Sequence, residues 1–433
     1  MQILYQRCAG LDVHRVEVWV CIRQVSSAGR VTKVVRKFGT TTRELLALAD
    51  WLEAAGVTHV AMESTGVYWK PIWNLLEGRF ELVLCNAQHV KQVPGHKTDV
   101  KDCEWLADLM QHGLLRASFV PLQPLRELRE LTRQRTQLTH ERTAVVNRLQ
   151  KILEDANVKL ASVASDIVGK SGRAMLEAII AGEQDPETLA KLARGRMIKK
   201  IPQLIEALEG RVTDHHRFLL ETQLERLAQL ETMIERYTER IEQMMSSEAL
   251  HAMTAAAQAA LPFPAAAERL KTIPGVDQRT AEYLLAEVGT DMSRFPTAGH
   301  LASWAGMCPG NHQSAGKRHS GKTAKGNCWL RRTLTQDAWA ASHTKDTYLA
   351  ALYRRLAARR GKKRAIIAVA HSILRSLYYM LKTDTDYQDL GAQHFDQRNP
   401  ERLKRNLIKR LQALGCTVTI SQQEAATDQQ AAA

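Results

Sequence analysis

The chain has no uncharged apolar run of the ~18 residues that a membrane-spanning helix needs, and its start, MQILYQRCAGLDVH, lacks the plan of a secretory signal. Both absences argue against a membrane or exported protein and make a cytoplasmic one the expectation. Also missing are any CxxC pair and any Cys/His cluster at zinc spacing. The seven cysteines (Cys8, Cys21, Cys85, Cys103, Cys308, Cys328, Cys416) are odd in number and widely scattered, so they read as reduced thiols, several of them in cores. Acids are absent from YRRLAARRGKKR, residues 353–364, which fits phosphate contacts or a solvated helix face.

What is present is basic charge. Formal charge is +14 and pI about 9.5, which points to a polyanionic partner, most often nucleic acid. The 433 residues exceed one domain of ~100–200, so two or three domains are expected. From Val16 the sequence alternates apolar and polar, and VTKVVRKF repeats the pattern after Ser27-Ala28-Gly29, as in a β-hairpin. Thr41-Thr42-Arg43-Glu44 has the form of a capping box opening a helix that Gly56 closes. THVAMES and FELVLCN read as strands flanking a helix from about Val67 to Glu77, so residues 1–120 form an α/β domain.

Residues 121–254 turn helical. Leu125, Leu128, Leu131, Leu138, Val145, Leu149 and Ile152 make one apolar stripe, and Leu227, Leu230, Ile234, Tyr237, Ile241 and Met244 step by three and four, the spacing of a coiled coil. Between them lie short helices without a strong period. Residues 255–267, rich in alanine and proline, read as a linker. Residues 268–390 form a mainly helical domain, and 391–433 a charged tail with a disordered end.

Four acids of the first domain fall where an α/β sheet gathers side chains on one rim. Asp12 ends or interrupts the first strand, Glu63 ends a buried strand, and Asp99 and Asp102 open a helix, neighbours on its surface at i and i+3. Carboxylates so gathered repel unless a hard cation neutralises them, which is the chemistry of Mg2+-assisted phosphoryl transfer. Acids in a first helical turn are favoured by capping and the macrodipole alone, so Asp99 and Asp102 by themselves are more often structural than catalytic. Glu104 and Asp108 of the same helix read as solvated.

In the second domain, LKTIPGVDQRTAEYLLAEVG has the helix, Pro-Gly turn, helix pattern in which backbone around Gly275 holds a DNA phosphate; ordinary helical hairpins share it. Downstream, a loop rich in Gly, Ser and Lys places Ser314 before Lys317 and Arg318, with Lys322, Lys325, Arg331 and Arg332 following. A serine there could attack a phosphate whose charge those cations stabilise. On composition, Ser303 and Ser320 are equal candidates.

GLDVH, AMESTG, KTDVKD, the IPGV turn and GMCPGNHQSAGK occur in an order that resembles the DEDD-type insertion-sequence transposases, family one hundred and ten, also called bridge-RNA-guided recombinases. The likeness spans roughly residues 8–120 and 268–382. It implies a ribonuclease-H-like, Holliday-junction-resolvase-like first domain, with Asp12, Glu63, Asp99 and Asp102 binding Mg2+ or Mn2+. It also implies long coiled-coil helices and a helical transposase domain containing a helix-hairpin-helix, in which Ser314 forms a transient phosphoserine link to DNA. Implied partners are donor and target DNA, a non-coding bridge RNA, and further copies of the chain, dimers assembling to tetramers in a bacterial, nucleoid-associated setting. One departure is that Ala315 stands between Ser314 and Gly316, where the family often reads Ser-Gly. Two other functions fit the same residues. One is a metal-dependent Holliday-junction-type endonuclease with no serine intermediate; the other is a non-catalytic nucleic-acid scaffold.

Overall fold

In a computed structural model the chain forms two compact units, Met1–Leu122 and Gln123–Ala433. The structure describes residues 2–26, 29–64, 66–85, 99–256, 260–309, 312–314, 316–320, 323, 326–398 and 400–419. Lys322, Lys325, the turn residues Ser27 and Ala28, and the end of the tail expected to be disordered lie outside the described residues.

The first unit is built on a five-stranded mixed sheet in the order β3-β2-β1-β4-β5. Arg7–Val13 (β1), Glu17–Val25 (β2) and Val31–Gly39 (β3) form an antiparallel meander, and His59–Glu63 (β4) and Glu81–Cys85 (β5) extend it in parallel with β1. Thr42–Ala54 (α1) and Trp69–Leu76 (α2) cover one face, and Asp99–Gln111 (α3) packs on the other. Alternation along each strand sorts the faces. Leu11, Val20, Ile22, Val60 and Met62 join Leu45, Leu48, Leu52 and Ile72 in one core, whereas Cys8, Cys21 and Ala61 meet Cys103, Ala107 and Met110 of α3. At α1 the expected capping box is half made. Thr41 accepts from the Glu44 N–H at 3.4 Å, but the Glu44 carboxylate accepts from the Gly39 N–H instead of closing the reciprocal bond.

Helix α3 lies directly on the backbone of β1. A Cβ at Gly10 would come within 2.3 Å of Ala107 N and 2.4 Å of Cys103 O, far inside van der Waals contact. Small residues on both sides, Gly10, Ala61 and Ala107, permit this approach. Burial pushes the thiols of Cys8 and Cys103 up to about 12, so they are inert core groups. The outward acids of α3 are tethered rather than solvated, correcting the sequence expectation: Asp108 pairs with Arg23 of β2 and Glu104 with Lys33 of β3, each at 2.8 Å.

The second unit is organised by two long helices, Gln123–Asp155 (α4) and Asp214–Met245 (α9). Their contacts step in opposite directions along the two sequences. Asp155 pairs with His216 at 3.0 Å, Arg142 with Glu231 at 2.9 Å, and Leu125 and Leu128 share a core with Ile241 and Met244, so the helices run antiparallel. At 1.5 Å per residue the 33 residues of α4 span about 50 Å. Leu160–Val163 (α5), Lys170–Ile180 (α6), Pro186–Ala190 (α7) and Ile201–Leu208 (α8) close one end around Leu149, Leu176, Leu204 and Leu220.

At the other end the paired helices enter the main helical core. It comprises Glu248–Ala256 (α10), Phe263–Leu270 (α11), Gln278–Val288 (α12), Ala298–Trp304 (α13), Cys328–His343 (α14), Tyr348–Arg360 (α15) and Lys362–Thr383 (α16). His312–Ser314 (β6) and Lys317–Ser320 (β7) form a hairpin between α13 and α14. Helix α16 is the axis of this core, and its Tyr378 hydroxyl donates to the Phe295 carbonyl at 2.9 Å. The stretch expected as a linker instead supplies α11, with Phe263, Ala266 and Ala267 buried. Pro264 is accommodated in its first turn, where no N–H is needed, and the alanines allow close packing. His394–Gln397 (α17) and Pro400–Ala413 (α18) follow in the tail.

Gly10→Ala forces α3 off the sheet or displaces β1, so unfolding free energy measured in urea is expected to fall by about 1–3 kcal/mol. Wild-type stability in this variant would contradict the close approach.

Candidate active site

The register of the sheet brings the first two acids together. Strands β1 and β4 are parallel with Leu11 opposite Met62, and one step on in each strand stand Asp12 and Glu63. Both therefore occupy the C-terminal edge, on the face opposite the Leu11 and Met62 core. Helix α3 covers that face and runs back against β1, since Met110 packs with Cys8 and Ala61 while Cys103 and Ala107 lie at Gly10. Its N-terminus, with Asp99 and Asp102, consequently points to the same edge. The Cys103 thiol is raised first by burial and further by the charges of Cys21 and Asp12, which places Asp12 beside the first turns of α3. Burial, with the Glu63 carboxylate beyond it, likewise raises the Cys85 thiol to about 12.

Asp12 is 8% exposed, and its Oδ2 lies 3.0 Å from His14 Nε2. Glu63 and Asp102 are half-buried. For Asp99 the backbone is described and the side chain is not. Among the described residues no three His, Cys, Asp or Glu side chains are preassembled as a metal-binding group. The donor set at the edge is nevertheless carboxylate oxygen from two strands and a helix, with no thiolate nearby in its charged form, and that chemistry fits a hard divalent cation.

In the second unit Ser314 closes a hairpin. It pairs with Lys317 across a two-residue connection whose second residue, Gly316, has φ +74°, a conformation that favours glycine. Gln313 pairs with Arg318 and His312 with Ser320. Ser314 thus stands at the turn, Ser320 at the far end of the ribbon, and Ser303 exposed on α13. The root of the loop is tightly closed: Pro309 bridges Thr323, and a Cβ on Gly326 would meet the Gly306 N at 2.3 Å. Arg331 is half-buried, and Arg332, exposed, lies over the Trp329 ring at 5.8 Å.

Gly275 is half-buried and packs tightly on one side. With φ +88°, it presses on α14 so closely that a Cβ would meet Asp337 O at 2.6 Å and Ala341 N at 2.7 Å. Beneath the turn, Asp337 is 3% exposed and its Oδ2 has no hydrogen-bond partner among the described residues. Burial, reinforced by the charge of Asp277 and opposed by Thr280, pushes its pKa up to about 8.

Several residues escaped the sequence reading. Arg129, Arg133 and Arg135 of α4 ion-pair with buried Glu282 and Glu287 of α12. The available signal was Arg135 itself, seven residues after Leu128 in the apolar stripe.

A transposase family model of the DEDD type (IS110) matches residues 9–158, and the model for the transposase IS116/IS110/IS902 family matches residues 267–354. A probable family 20 transposase of Pseudomonas aeruginosa is 25% identical over 390 residues, 88% of this chain and 94% of that protein. The transposase for insertion sequence element IS1111A of Coxiella burnetii is 23% identical over 310 residues, 70% of this chain and 72% of that protein. A pilin gene-inverting protein of Moraxella bovis is 32% identical over 124 residues, 28% of this chain and 38% of that protein. No helix among the described residues is long and apolar enough to cross a membrane.

Folded Asp337 holds its proton to about pH 8, whereas the unfolded side chain releases it near ~4. Its protonated form therefore costs nothing below ~4, and stability declines as pH rises through the window between the two. Asp337→Asn should remove that slope. Urea unfolding at pH 5 and pH 8 should show wild type losing roughly 3–4 kcal/mol more than the variant; parallel curves would contradict an acid buried with one oxygen unpaired.

Proposed function

Because the chain belongs to the IS110 family of transposases and so is a DNA transposase or recombinase enzyme, we propose that it cuts and rejoins DNA through a phosphoserine intermediate, with a carboxylate-bound divalent cation. The observation that carries this reading is the meeting of Asp12, Glu63 and the N-terminus of α3 at one edge of the sheet. An antiparallel β1-β2-β3 meander continued in parallel by β4 and β5, order β3-β2-β1-β4-β5, supports a ribonuclease-H-like assignment for the first unit. The α11, Pro-Gly, α12 sequence supports a helix-hairpin-helix in the second.

Asp12, Glu63, Asp99 and Asp102 would hold Mg2+ or Mn2+. When bound, such an ion withdraws charge from a phosphate and stabilises the leaving oxygen. His14, on Asp12, would orient that carboxylate. The Ser314 hydroxyl attacks the DNA phosphorus: a P–Oγ bond forms, the bridging P–O bond breaks, and the serine proton ends on the released strand hydroxyl. A hydroxyl of the incoming strand then reverses the step, so the phosphodiester is rebuilt without ATP. Lys317 and Arg318, on the strand opposite Ser314, would meet the phosphate charge, with Arg331, Arg332, Lys322, Lys325 and the backbone at Gly275 as further DNA contacts. Sequence choice would fall to a bridge RNA, dimers assembling to tetramers would bring serine and carboxylates of different copies together, and the paired helices would serve that assembly as a coiled coil.

Incubation with both DNA substrates, guide RNA and Mg2+, followed by denaturing electrophoresis, tests this. Wild type should trap a protein–DNA adduct that Ser314→Ala does not form, and Asp12→Asn should slow cleavage by roughly 10²–10³-fold. Free-ended products from an active Ser314→Ala protein would mean hydrolysis by an endonuclease instead.

A further inference from the structure

The second unit buries a charged cluster that DNA chemistry does not explain. Glu287, near the end of α12, is 0% exposed, and three side chains from two other elements converge on it. Its carboxylate accepts from Arg133 Nε at 2.6 Å and from a second Arg133 nitrogen at 2.9 Å, both from α4. Arg129, one turn earlier, lies 3.5 Å from the same carboxylate and donates to the Ala286 and Glu287 carbonyls. The Asn327 side-chain amide donates to Glu287 at 2.6 Å. Asn327 is the N-cap of α14, its Oδ1 accepting from the N–H groups of Trp329 and Leu330, each at 3.1 Å. Trp329 in turn packs under the Arg133 guanidinium at 5.5 Å.

Stability alone does not account for keeping these charges. Buried ion pairs are often replaceable by apolar residues at no cost, while their directional bonds fix geometry. What they fix here is the exit of the serine hairpin. Asn327 follows Gly326, whose backbone sits on Gly306 at the loop's other root. A carboxylate in the core thus holds, through one amide, the point from which the hairpin carrying Ser314 projects. Through Arg133 the same carboxylate holds the root of α4.

We infer that Glu287 and Asn327 are positioning residues for the serine hairpin, and that through Arg133 they tie its orientation to the long helix α4. This rests on Ser314 being the nucleophile. A misplacement of about 1 Å can cost roughly 10²-fold in rate without weakening substrate binding.

Asn327→Ser isolates the link in the full-length protein, because serine still caps α14 but offers no amide to Glu287. Two readouts are needed: hydrogen exchange of the 312–320 backbone without DNA, and cleavage rate against DNA concentration. Faster exchange in 312–320, a kcat reduced roughly 10- to 100-fold and an unchanged KM for DNA are expected. Asn327→Asp should behave at least as badly, since it sets a second carboxylate against Glu287. Combining it with Glu287→Gln exchanges the two groups across the same bond and should recover part of kcat, the remainder being lost because Arg133 then faces a neutral amide. Unchanged exchange in Asn327→Ser, a wild-type kcat, or no rescue by the exchanged pair would overturn the inference. Ser314→Ala run alongside separates the two claims: if it still recombines DNA, the serine mechanism fails, and exchange at 312–320 alone decides whether Asn327 positions the hairpin.

Discussion

The placement of the acids in the first unit depends on one contact, the seating of α3 on the bare backbone at Gly10. With no side chain there, the helix lies against the strand and brings its N-terminus to the edge where β1 and β4 end. The two strands supply Asp12 and Glu63 by register, and the helix supplies Asp99 and Asp102 by direction. Inert buried thiols and alanine fill the interface, and His14 meets Asp12 at its edge.

A chain with a net charge of +14 spends part of its basic charge internally. Arg129, Arg133 and Arg135 are committed to Glu282 and Glu287, while Arg142 and Arg173 share Glu231 where the helix pair meets its closed end. The surface available to a polyanion is thus narrower than composition implies. Among the described residues, one run of exposed cations lies along residues 354–364.

Features set by local pattern could be read from sequence. The alternation in β2, the Thr41 cap, the three-and-four spacing of α9 and the acids at strand and helix ends all depend on neighbours a few residues apart. The Arg135 to Glu282 bond could not, because its partners stand 147 residues apart: the apolar stripe turns Arg135 inward but does not say which acid meets it. The same holds for Glu104 and Asp108, whose cations come from strands β2 and β3. Residues 255–267 misled for a different reason. Alanine and proline signal a linker by composition, but in α11 the proline sits in the first turn and the alanines are the packing surface.

The antiparallel pair α4 and α9 leaves the helical core and returns to it at nearly the same place. Topologically it is a side branch, so adding or removing whole heptads from both helices changes its reach, by about 10 Å per heptad, while the base stays as it is. Neither family match extends over residues 159–266, the stretch containing the closed end and the returning helix. A change of span confined to that stretch would alter what the far end can reach and leave the packing at the base intact.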